Sequence, residues 1–145
     1  MPTPTATPLR PPLLLSRLDV ERIEALLEQP QFRHLDTAGL QAELARAELA
    51  EPGHMPADVI TMNSTALVRV EDGDRGDHQR ELTLVYPRDA DGSAEKVSVL
   101  APVGSALLGL RVGDRIEWPM PGGRSARLEV LAVRYQPEAA GELHR

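Results

Sequence analysis

Four histidines are the residues of this chain with the widest capacity for metal binding and proton transfer. They are His34, His54, His78 and His144. No two of them are spaced one helical turn apart, and none is joined to carboxylates in the spacing of a known metal site. We therefore interpret them as ordinary surface side chains and predict no metal centre.

A short run of aspartates and glycine is the second candidate, because such runs can bind calcium. It contains Asp72, Asp74, Gly76 and Asp77. The run lacks the full ordered loop of a calcium site and the glutamate that closes it. The same residue types are favoured at the tip of a solvated β-hairpin, which is the structure we predict here.

Residues 104–109 (GSALLG) carry two glycines and a serine. The glycine spacing differs from that of a dinucleotide loop, the lysine of a phosphate loop is missing, and Ser105 has no matching histidine or aspartate motif. We predict a short helix over residues 105–110, flanked by tight turns. With no nucleophile, acid–base pair or phosphate cradle, the chain is expected to be a non-enzymatic binding protein without a cofactor.

Length, charge and cysteine content exclude several classes of protein. The chain has 145 residues, enough for one ordinary domain or a small domain with an appendage. Its formal charge of −6 opposes direct contact with DNA or RNA. The absence of cysteine excludes disulfides and thiolate metal sites and favours a cytoplasmic location. The apolar run at residues 13–15 is too short for a signal sequence or a membrane span.

The first part of the chain predicts a leader and a helical hairpin. Prolines dominate residues 1–12, so we expect a disordered leader over residues 1–15. From Ser16, which is spaced to cap a helix at Asp19, apolar residues recur at helical intervals until Pro30. Thr37 then begins a second helix over residues 38–50. The two apolar stripes predict a short antiparallel hairpin over residues 16–51 that is detachable from the rest.

Residues 51–56 (EPGHMP) break both periodic patterns and predict a domain boundary. Beyond it we expect a small antiparallel α+β domain over residues 58–138, with a tail over residues 139–145. The predicted strands cover residues 59–62, 67–70, 81–86, 96–100, 115–120 and 124–136. A tight turn at residues 121–123 (PGG) joins the last two.

Two sets of sequence words resemble known families. Residues 98–114 (SVLAPVGSALLGLRVGD) and 121–123 closely resemble the C-terminal domain of Gre-type bacterial transcript cleavage factors. A narrower set is similar to the bacterial regulators of nucleoside diphosphate kinase, which are small Gre paralogues. These words are residues 26–29 (LLEQ), 55–56 (MP), 59–64 (VITMNS), 83–87 (TLVYP) and 135–141 (YQPEAAG). The likeness covers roughly residues 16 to 141 of this sequence.

The resemblance implies an FKBP-like domain behind an antiparallel coiled coil, bound to RNA polymerase at the mouth of its secondary channel. The Asn-Ser-Pro contact of Gre factors aligns here with residues 100–102, which implies a polymerase-binding site at Ala101, Pro102 and Val103. Alanine at the serine position removes one hydrogen bond. Pro102 is a rigid apolar contact point, or it ends the strand and orients the next helix; both roles are compatible.

The hairpin tip departs from the Gre pattern. Its residues are Pro30, Phe32, Arg33 and Asp36. Gre factors present several acidic side chains to the catalytic magnesium from a long coiled coil, whereas this hairpin is short and Asp36 is more simply a helix cap. The resemblance therefore implies a factor that competes with Gre proteins without stimulating cleavage. Phe32 either docks on polymerase or folds back on Leu35.

Two other functions remain open from the sequence. A peptidyl-prolyl isomerase is suggested by the fold alone, although residues 58–145 contain only three aromatic residues, Tyr86, Trp118 and Tyr135. A direct protein inhibitor of a nucleotide enzyme is the other alternative. The family name links the protein to nucleoside diphosphate kinase, and we expect that link to be indirect. We predict no membrane partner, and contact with DNA through polymerase alone.

Overall fold

The computed structural model describes residues 13–33, 35, 37–72, 76–93, 95–120 and 124–142. The helices in this part of the chain are α1 (Arg17–Leu27), α2 (Ala38–Arg46) and α3 (Pro102–Leu107). The strands are β1 (Leu14–Ser16), β2 (Glu48–Ala50), β3 (Thr65–Asp72), β4 (Gly76–Val85), β5 (Lys96–Ser98), β6 (Arg115–Met120) and β7 (Arg124–Tyr135). The α+β class and the N-terminal position of the longer helices are therefore as predicted.

The main sheet has five strands in the order β5-β4-β3-β7-β6. Its neighbours are antiparallel except for β4 and β5, which run parallel. The prediction of an entirely antiparallel sheet is wrong at that edge. The chain returns only to the level of Thr83, so β5 runs parallel to the last three residues of β4. The predicted loop at residues 72–77 is shorter than expected, because β3 reaches Asp72 and β4 begins at Gly76.

The predicted strand at residues 59–62 is also wrong. Val59 forms a single bridge with Arg111, and the Ile60 amide donates to the Leu110 carbonyl over 2.8 Å. The chain then turns at Asn63, whose φ of 67° is incompatible with a continuing strand. These residues are nonetheless buried, so their apolar character reflects packing in the core.

Helix α1 begins where the sequence predicts. The Ser16 side chain accepts a hydrogen bond from the Asp19 amide over 3.4 Å and caps the helix. The stripe residues Val20 and Ile23 are buried, as are Leu40 and Leu44 of α2. All four belong to one hydrophobic core with the sheet residues Val68, Leu84, Leu128 and Val130. The core is thus continuous across residues 51–56, where the sequence predicts a boundary, because the sheet offers the helices a broad apolar face.

The limits predicted for the leader and for the second helix need correction. Leu13 and Leu15 are buried, and β1 pairs in parallel with β2. Helix α2 ends at Arg46 rather than at residue 50, because Ala47 is extended and leads into β2. Gly109 has a φ of 84°, a conformation that favours glycine, and a Cβ there would lie 2.7 Å from the end of the Leu15 side chain.

Several predictions fall outside the described residues. They are leader residues 1–12, the loop residues 73–75 with Asp74, the turn at residues 121–123, and the side chains of His34, Asp36, His78 and His144. No helix in the described part of the chain is long and apolar enough to cross a membrane.

Candidate functional site

The parallel edge of the sheet brings two loops to the same end of the molecule. Residue Val85 of β4 is in register with Ser98 of β5, and the Val99 amide donates to the Val85 carbonyl over 2.9 Å. The carboxyl ends of parallel strands meet at one edge. Residues 86–88 therefore leave the sheet beside residues 99–101.

The corner between β5 and α3 contains the predicted contact residues. Ala101 is the N-cap of α3 and is half-buried, Pro102 occupies the first turn, and Val103 is half-buried against the core. The Pro102 side chain lies outside the described part of the structure. Its backbone position agrees with the expectation that proline ends the strand and orients the helix, since proline favours the first helical turn.

Two neighbours hold this corner rigid. The Ser105 hydroxyl donates to the Val99 carbonyl over 2.8 Å, so this serine is a structural residue. A Cβ at Gly104 would collide with the Ser98 carbonyl oxygen, so the helix can approach the strand this closely only with glycine there. The conformation of residues 98–105 is therefore set by packing and hydrogen bonds within the chain.

The loop after α1 reaches the same end of the molecule. Pro30–Phe32 forms a single 3₁₀ turn, Arg33 is exposed, and Asp36 lies outside the described residues. Phe32 is half-buried and faces a groove whose other wall is the loop after β4, whereas Leu35 is exposed. Phe32 therefore lines a groove of the protein itself, which is neither of the two predicted placements, docking on polymerase or folding back on Leu35.

The groove has a volume of about 650 Å³. One wall comes from α1 and the loop that follows it, and the other from the loop after β4. Its lining residues are Arg22, Ala25, Leu26, Gln29, Gln31, Phe32, Tyr86, Pro87 and Arg88. The sequence did not predict this groove, because its two walls are far apart in the chain.

Asp19 lies buried on the inner side of α1. It is 3% exposed, and its carboxylate accepts a hydrogen bond from the Met62 amide over 3.0 Å. Burial raises the pKa of Asp19 to about 7; the Met62 bond opposes this rise, Glu138 adds to it, and Arg22 opposes it. In the sequence, Asp19 stands out only as part of the capping pattern with Ser16. The feature that could have indicated its burial is the position of this carboxylate on the same side of α1 as the buried residues Val20 and Ile23.

Tyr86 forms the floor of the groove and is 8% exposed. Burial raises the pKa of Tyr86 to about 12, with a further contribution from Asp19. Its hydroxyl is buried and has no hydrogen-bond partner of good geometry among the described residues. The Arg22 guanidinium nevertheless lies near enough to oppose part of the pKa rise. On the outer side, the Arg88 guanidinium carbon lies 6.0 Å from the centre of the Tyr86 ring.

A second polar cluster joins two of the sequence words that carry the narrower resemblance. The Gln136 side-chain amide donates to the carbonyls of Pro56 and Val59, each over 2.7 Å. The Thr61 hydroxyl donates to Glu138 over 2.7 Å. Residues 135–141 are thus anchored to residues 55–64 by side-chain hydrogen bonds.

The site has the character of a binding surface. In the part of the chain that the structure describes, no group of three or more histidine, aspartate or glutamate side chains is placed to hold a metal ion. Polar side chains such as Ser105 and Gln136 are paired within the fold, and others, such as Gln29 and Arg88, are exposed around the groove. This arrangement suits contact with another macromolecule.

Comparison with known families identifies the class of protein. The family described as "Transcription elongation factor, GreA/GreB, C-term" matches residues 55–135, and the family "Rnk N-terminus" matches residues 11–49. The chain is therefore a GreA/GreB-type C-terminal domain joined to an Rnk N-terminal segment.

Comparison with individual proteins narrows the family. The chain is 52% identical over 135 residues to "Regulator of nucleoside diphosphate kinase" of Escherichia coli (strain K12), covering 92% of this chain and 96% of that protein. It is 35% identical over 96 residues to "Transcription elongation factor GreA" of Rhodospirillum rubrum, covering 66% of this chain and 59% of that protein. The chain belongs to the Rnk family of regulators of nucleoside diphosphate kinase, and the resemblance inferred from its sequence is confirmed.

A solved structure supports the same fold. "Prokaryotic transcription elongation factor GreA/GreB from Nitrosomonas europaea" is 50% identical to this chain, with a TM-score of 0.65. The match covers 87% of this chain and all of that one. The mixed fold of N-terminal helices and a curled sheet is therefore shared with a GreA/GreB-type protein.

Proposed function

We propose that this protein is a non-enzymatic transcription regulator that binds RNA polymerase at the rim of its secondary channel, in the cytoplasm. The contact is assigned to Ala101, Pro102 and Val103. The observation that carries this proposal is the rigid corner between β5 and α3, which presents a Gre-type sequence word in a fixed conformation. A preformed surface binds with a smaller loss of conformational entropy than a flexible loop.

We further propose that the protein competes with Gre-type factors without stimulating transcript cleavage. Helix α1 has eleven residues and is therefore only about 16 Å long. Among the described tip residues 29–33 and 35, none carries a carboxylate. Phe32 faces the groove beside Tyr86 instead of projecting from the tip. The short reach, and the absence of carboxylates among the tip residues that the structure describes, both oppose a role at the catalytic magnesium. We also propose that residues 58–138 form an FKBP-like domain and that residues 16–51 form a coiled-coil hairpin.

Displacement of a labelled Gre factor tests the proposal. Core polymerase is incubated with a fluorescent Gre protein and titrated with this protein, and fluorescence anisotropy reports the bound label. We expect complete displacement at saturation. Retention of the label at large excess would refute the assigned binding site.

A cleavage assay tests the second part. Backtracked elongation complexes are mixed with this protein or with a Gre factor as the positive control, and transcript shortening is measured. We expect no acceleration over the complex alone, and slower cleavage when both factors are present. Accelerated cleavage by this protein alone would contradict the proposal.

Direct action on nucleoside diphosphate kinase is the second candidate function, and the name of the Escherichia coli relative favours it. We propose that the link is indirect, through transcription. Pull-down of purified kinase in the absence of polymerase distinguishes the two routes. Saturable capture of the kinase would support direct action.

A further inference from the structure

Two carboxyl groups from segments far apart in the chain hold the same dipeptide. The Asp19 carboxyl group of α1 accepts a hydrogen bond from the Met62 amide over 3.0 Å, and Glu138 accepts one from the Thr61 hydroxyl over 2.7 Å. Thr61 and Met62 are both buried. Helix α1 and the C-terminal segment, residues 136–142, are therefore joined through one short stretch of backbone.

The hydroxyl groups at the centre of this site form a chain that ends on Glu138. The Ser64 hydroxyl oxygen accepts from the Thr61 amide over 2.9 Å and lies 2.8 Å from the Thr61 hydroxyl oxygen. Each hydroxyl has one proton to donate, and Thr61 donates its own to Glu138. Ser64 must therefore be the donor to Thr61. Every bond in the chain points toward Glu138, so consecutive bonds polarise and strengthen one another.

Charged and titratable groups face Asp19 from three elements. Arg22 lies one turn further along α1, Tyr86 comes from the loop after β4, and Glu138 comes from the C-terminal segment. The turn at residues 61–64 contributes only neutral groups. Tyr86, with a pKa of about 12, and the arginine keep their charge states between pH 6 and pH 8. Burial and Glu138 favour the neutral form of Asp19, whose pKa of about 7 lies inside that range.

We propose that Asp19 and Glu138 form a proton-controlled latch, which holds the C-terminal segment on the turn at residues 61–64 when Asp19 is neutral and releases it when Asp19 is ionised. Two like charges in one buried site repel each other, and the group nearer to solvent is the one that can move away. Asp19 is 3% exposed whereas Glu138 is half-buried, so Glu138 is the group that moves. The latch goes beyond the proposed function, because it lies at the far end of the chain and does not depend on polymerase.

The part that is released is a compact turn. Residues 137–142 form this turn, in which the Gly141 and Glu142 amides donate to carbonyls of the same turn. Gln136, which precedes it, is buried and is anchored by two hydrogen bonds of 2.7 Å from its side-chain amide. This side chain is uncharged and is not repelled when Asp19 ionises. The latch therefore opens residues 137–142 while β7 stays in place.

Hydrogen exchange in the full-length protein, followed by NMR at the amides of residues 139–142, tests the latch. Rates at pH 6 and pH 8 are divided by the intrinsic rates of the unstructured sequence to give protection factors. We expect protection to fall by about fivefold or more as the pH rises, a typical size for coupling between two sites. Asp19→Asn should keep its protection at both pH values, because the amide is uncharged and still offers an acceptor to Met62. Constant protection in the native protein would overturn the proposal.

A second variant separates the latch from the general effect of pH on stability. Glu138→Gln keeps an acceptor for the Thr61 hydroxyl but removes the charge that faces Asp19. We expect the pH dependence of protection at residues 139–142 to disappear. Glu142→Gln is the matched control, because Glu142 is in the same turn but is bonded to Tyr135. An unchanged pH dependence in Glu138→Gln, or an equal loss in Glu142→Gln, would refute the assignment.

Coupling between two groups is reciprocal, which gives a readout that does not depend on exchange. The carboxyl carbon of Asp19 is titrated by carbon-13 NMR in the native protein and in Glu138→Gln. We expect the midpoint to move to lower pH in the variant, since the opposing charge is gone. An unchanged midpoint would show that Glu138 does not act on Asp19, and would contradict the latch. Displacement of a Gre factor measures a different contact, so the latch and the proposed function are tested independently.

Discussion

The groove and the opposite charged face of the sheet both carry arginines, but the arginines of the two surfaces have different kinds of neighbour. The charged face, which we call the ladder face, contains Arg69, Glu71, Arg115, Glu117, Arg127 and Glu129 on β3, β6 and β7. Its ion pairs include Arg69 with Glu129 at 3.0 Å and Arg127 with Glu117 at 3.4 Å. Three arginines and three glutamates thus cancel among cross-strand neighbours.

The difference follows from how the two surfaces are assembled. Cross-strand neighbours are fixed by register, so the sequence can place a glutamate opposite each arginine. The groove arginines lie on α1 and on the loop after β4, and they meet only through tertiary packing. Balanced charge on the ladder face is suited to solubility. In the groove, Arg88 lies 3.8 Å from its chain neighbour Asp89, and Arg22 acts on the buried Asp19 and Tyr86.

The largest expected effect is on the support of the groove. A fragment starting at residue 56 lacks Leu15, Val20, Ile23, Leu40 and Leu44, which are all part of the common core. We expect it to lose cooperative thermal unfolding, because the exposed sheet face has no replacement cover. Circular dichroism and differential scanning calorimetry measure this. The sequence alone predicted a detachable hairpin, and a cooperative transition in the fragment would restore that interpretation.

A single substitution in the full chain provides a milder version of the same test. Ile23 is fully buried, so Ile23→Ala should lower the free energy of unfolding by about 2–5 kcal/mol. Leu49→Ala is the control, because Leu49 is 49% exposed. Denaturant titration compares the two variants.

Asp19 beside the groove should make stability depend on pH. Its folded pKa of about 7 exceeds the ordinary value of 3.8. The folded state therefore retains a proton that the unfolded state has lost, and stability falls as pH rises from about 4 to about 7. The loss amounts to at most about 4 kcal/mol. Asp19→Asn should remove this dependence while keeping an acceptor for the Met62 amide.

Denaturant titrations between pH 4 and pH 8 measure the difference in stability between the native protein and the Asp19→Asn variant. The contributions of all other carboxylates are common to the two proteins and cancel in this difference. The variant should gain relative stability as pH rises. A constant difference across this range would show that Asp19 has an ordinary pKa in the folded protein.

The corner beside the groove should matter for binding more than for folding. Pro102→Asp is expected to weaken polymerase binding by about tenfold, with little change in the thermal melt because an acidic residue suits the first turn of a helix. Co-sedimentation with core polymerase and a thermal melt measure the two effects. A parallel loss of stability would assign Pro102 to the fold.

The smallest expected effect is on the ladder face. Arg127 is 70% exposed and pairs with Glu117 and Glu71. Arg127→Ala should change the free energy of unfolding by less than about 1 kcal/mol, and by less still at high salt. Denaturant titration at two salt concentrations checks this. A loss of several kcal/mol would mean that the ladder face is structural.

The features that the sequence predicted are local ones. Ser16 and the stripe of Val20 and Ile23 define α1 within a few residues, and β7 follows from its own alternation. The pairing of β1 with β2, and the parallel pairing of β5 with β4, depend on segments that are distant in the chain. No local sequence pattern therefore predicts them. The corner at Ala101 was found through a continuous sequence word. The groove was missed because Phe32 and Tyr86 are brought together only by the folded core.

The parallel pairing of β1 and β2 holds the beginning and the end of the helical segment next to each other. Leu14 pairs with Glu48 and Ser16 with Ala50, so residues 17–46 form a closed excursion from a common base. Matched insertions of one turn in α1 and α2 would carry the tip about 5.4 Å further out while leaving that base in place. Reach can therefore be lengthened or shortened as an independent variable, by evolution or by grafting, without redesign of the sheet below.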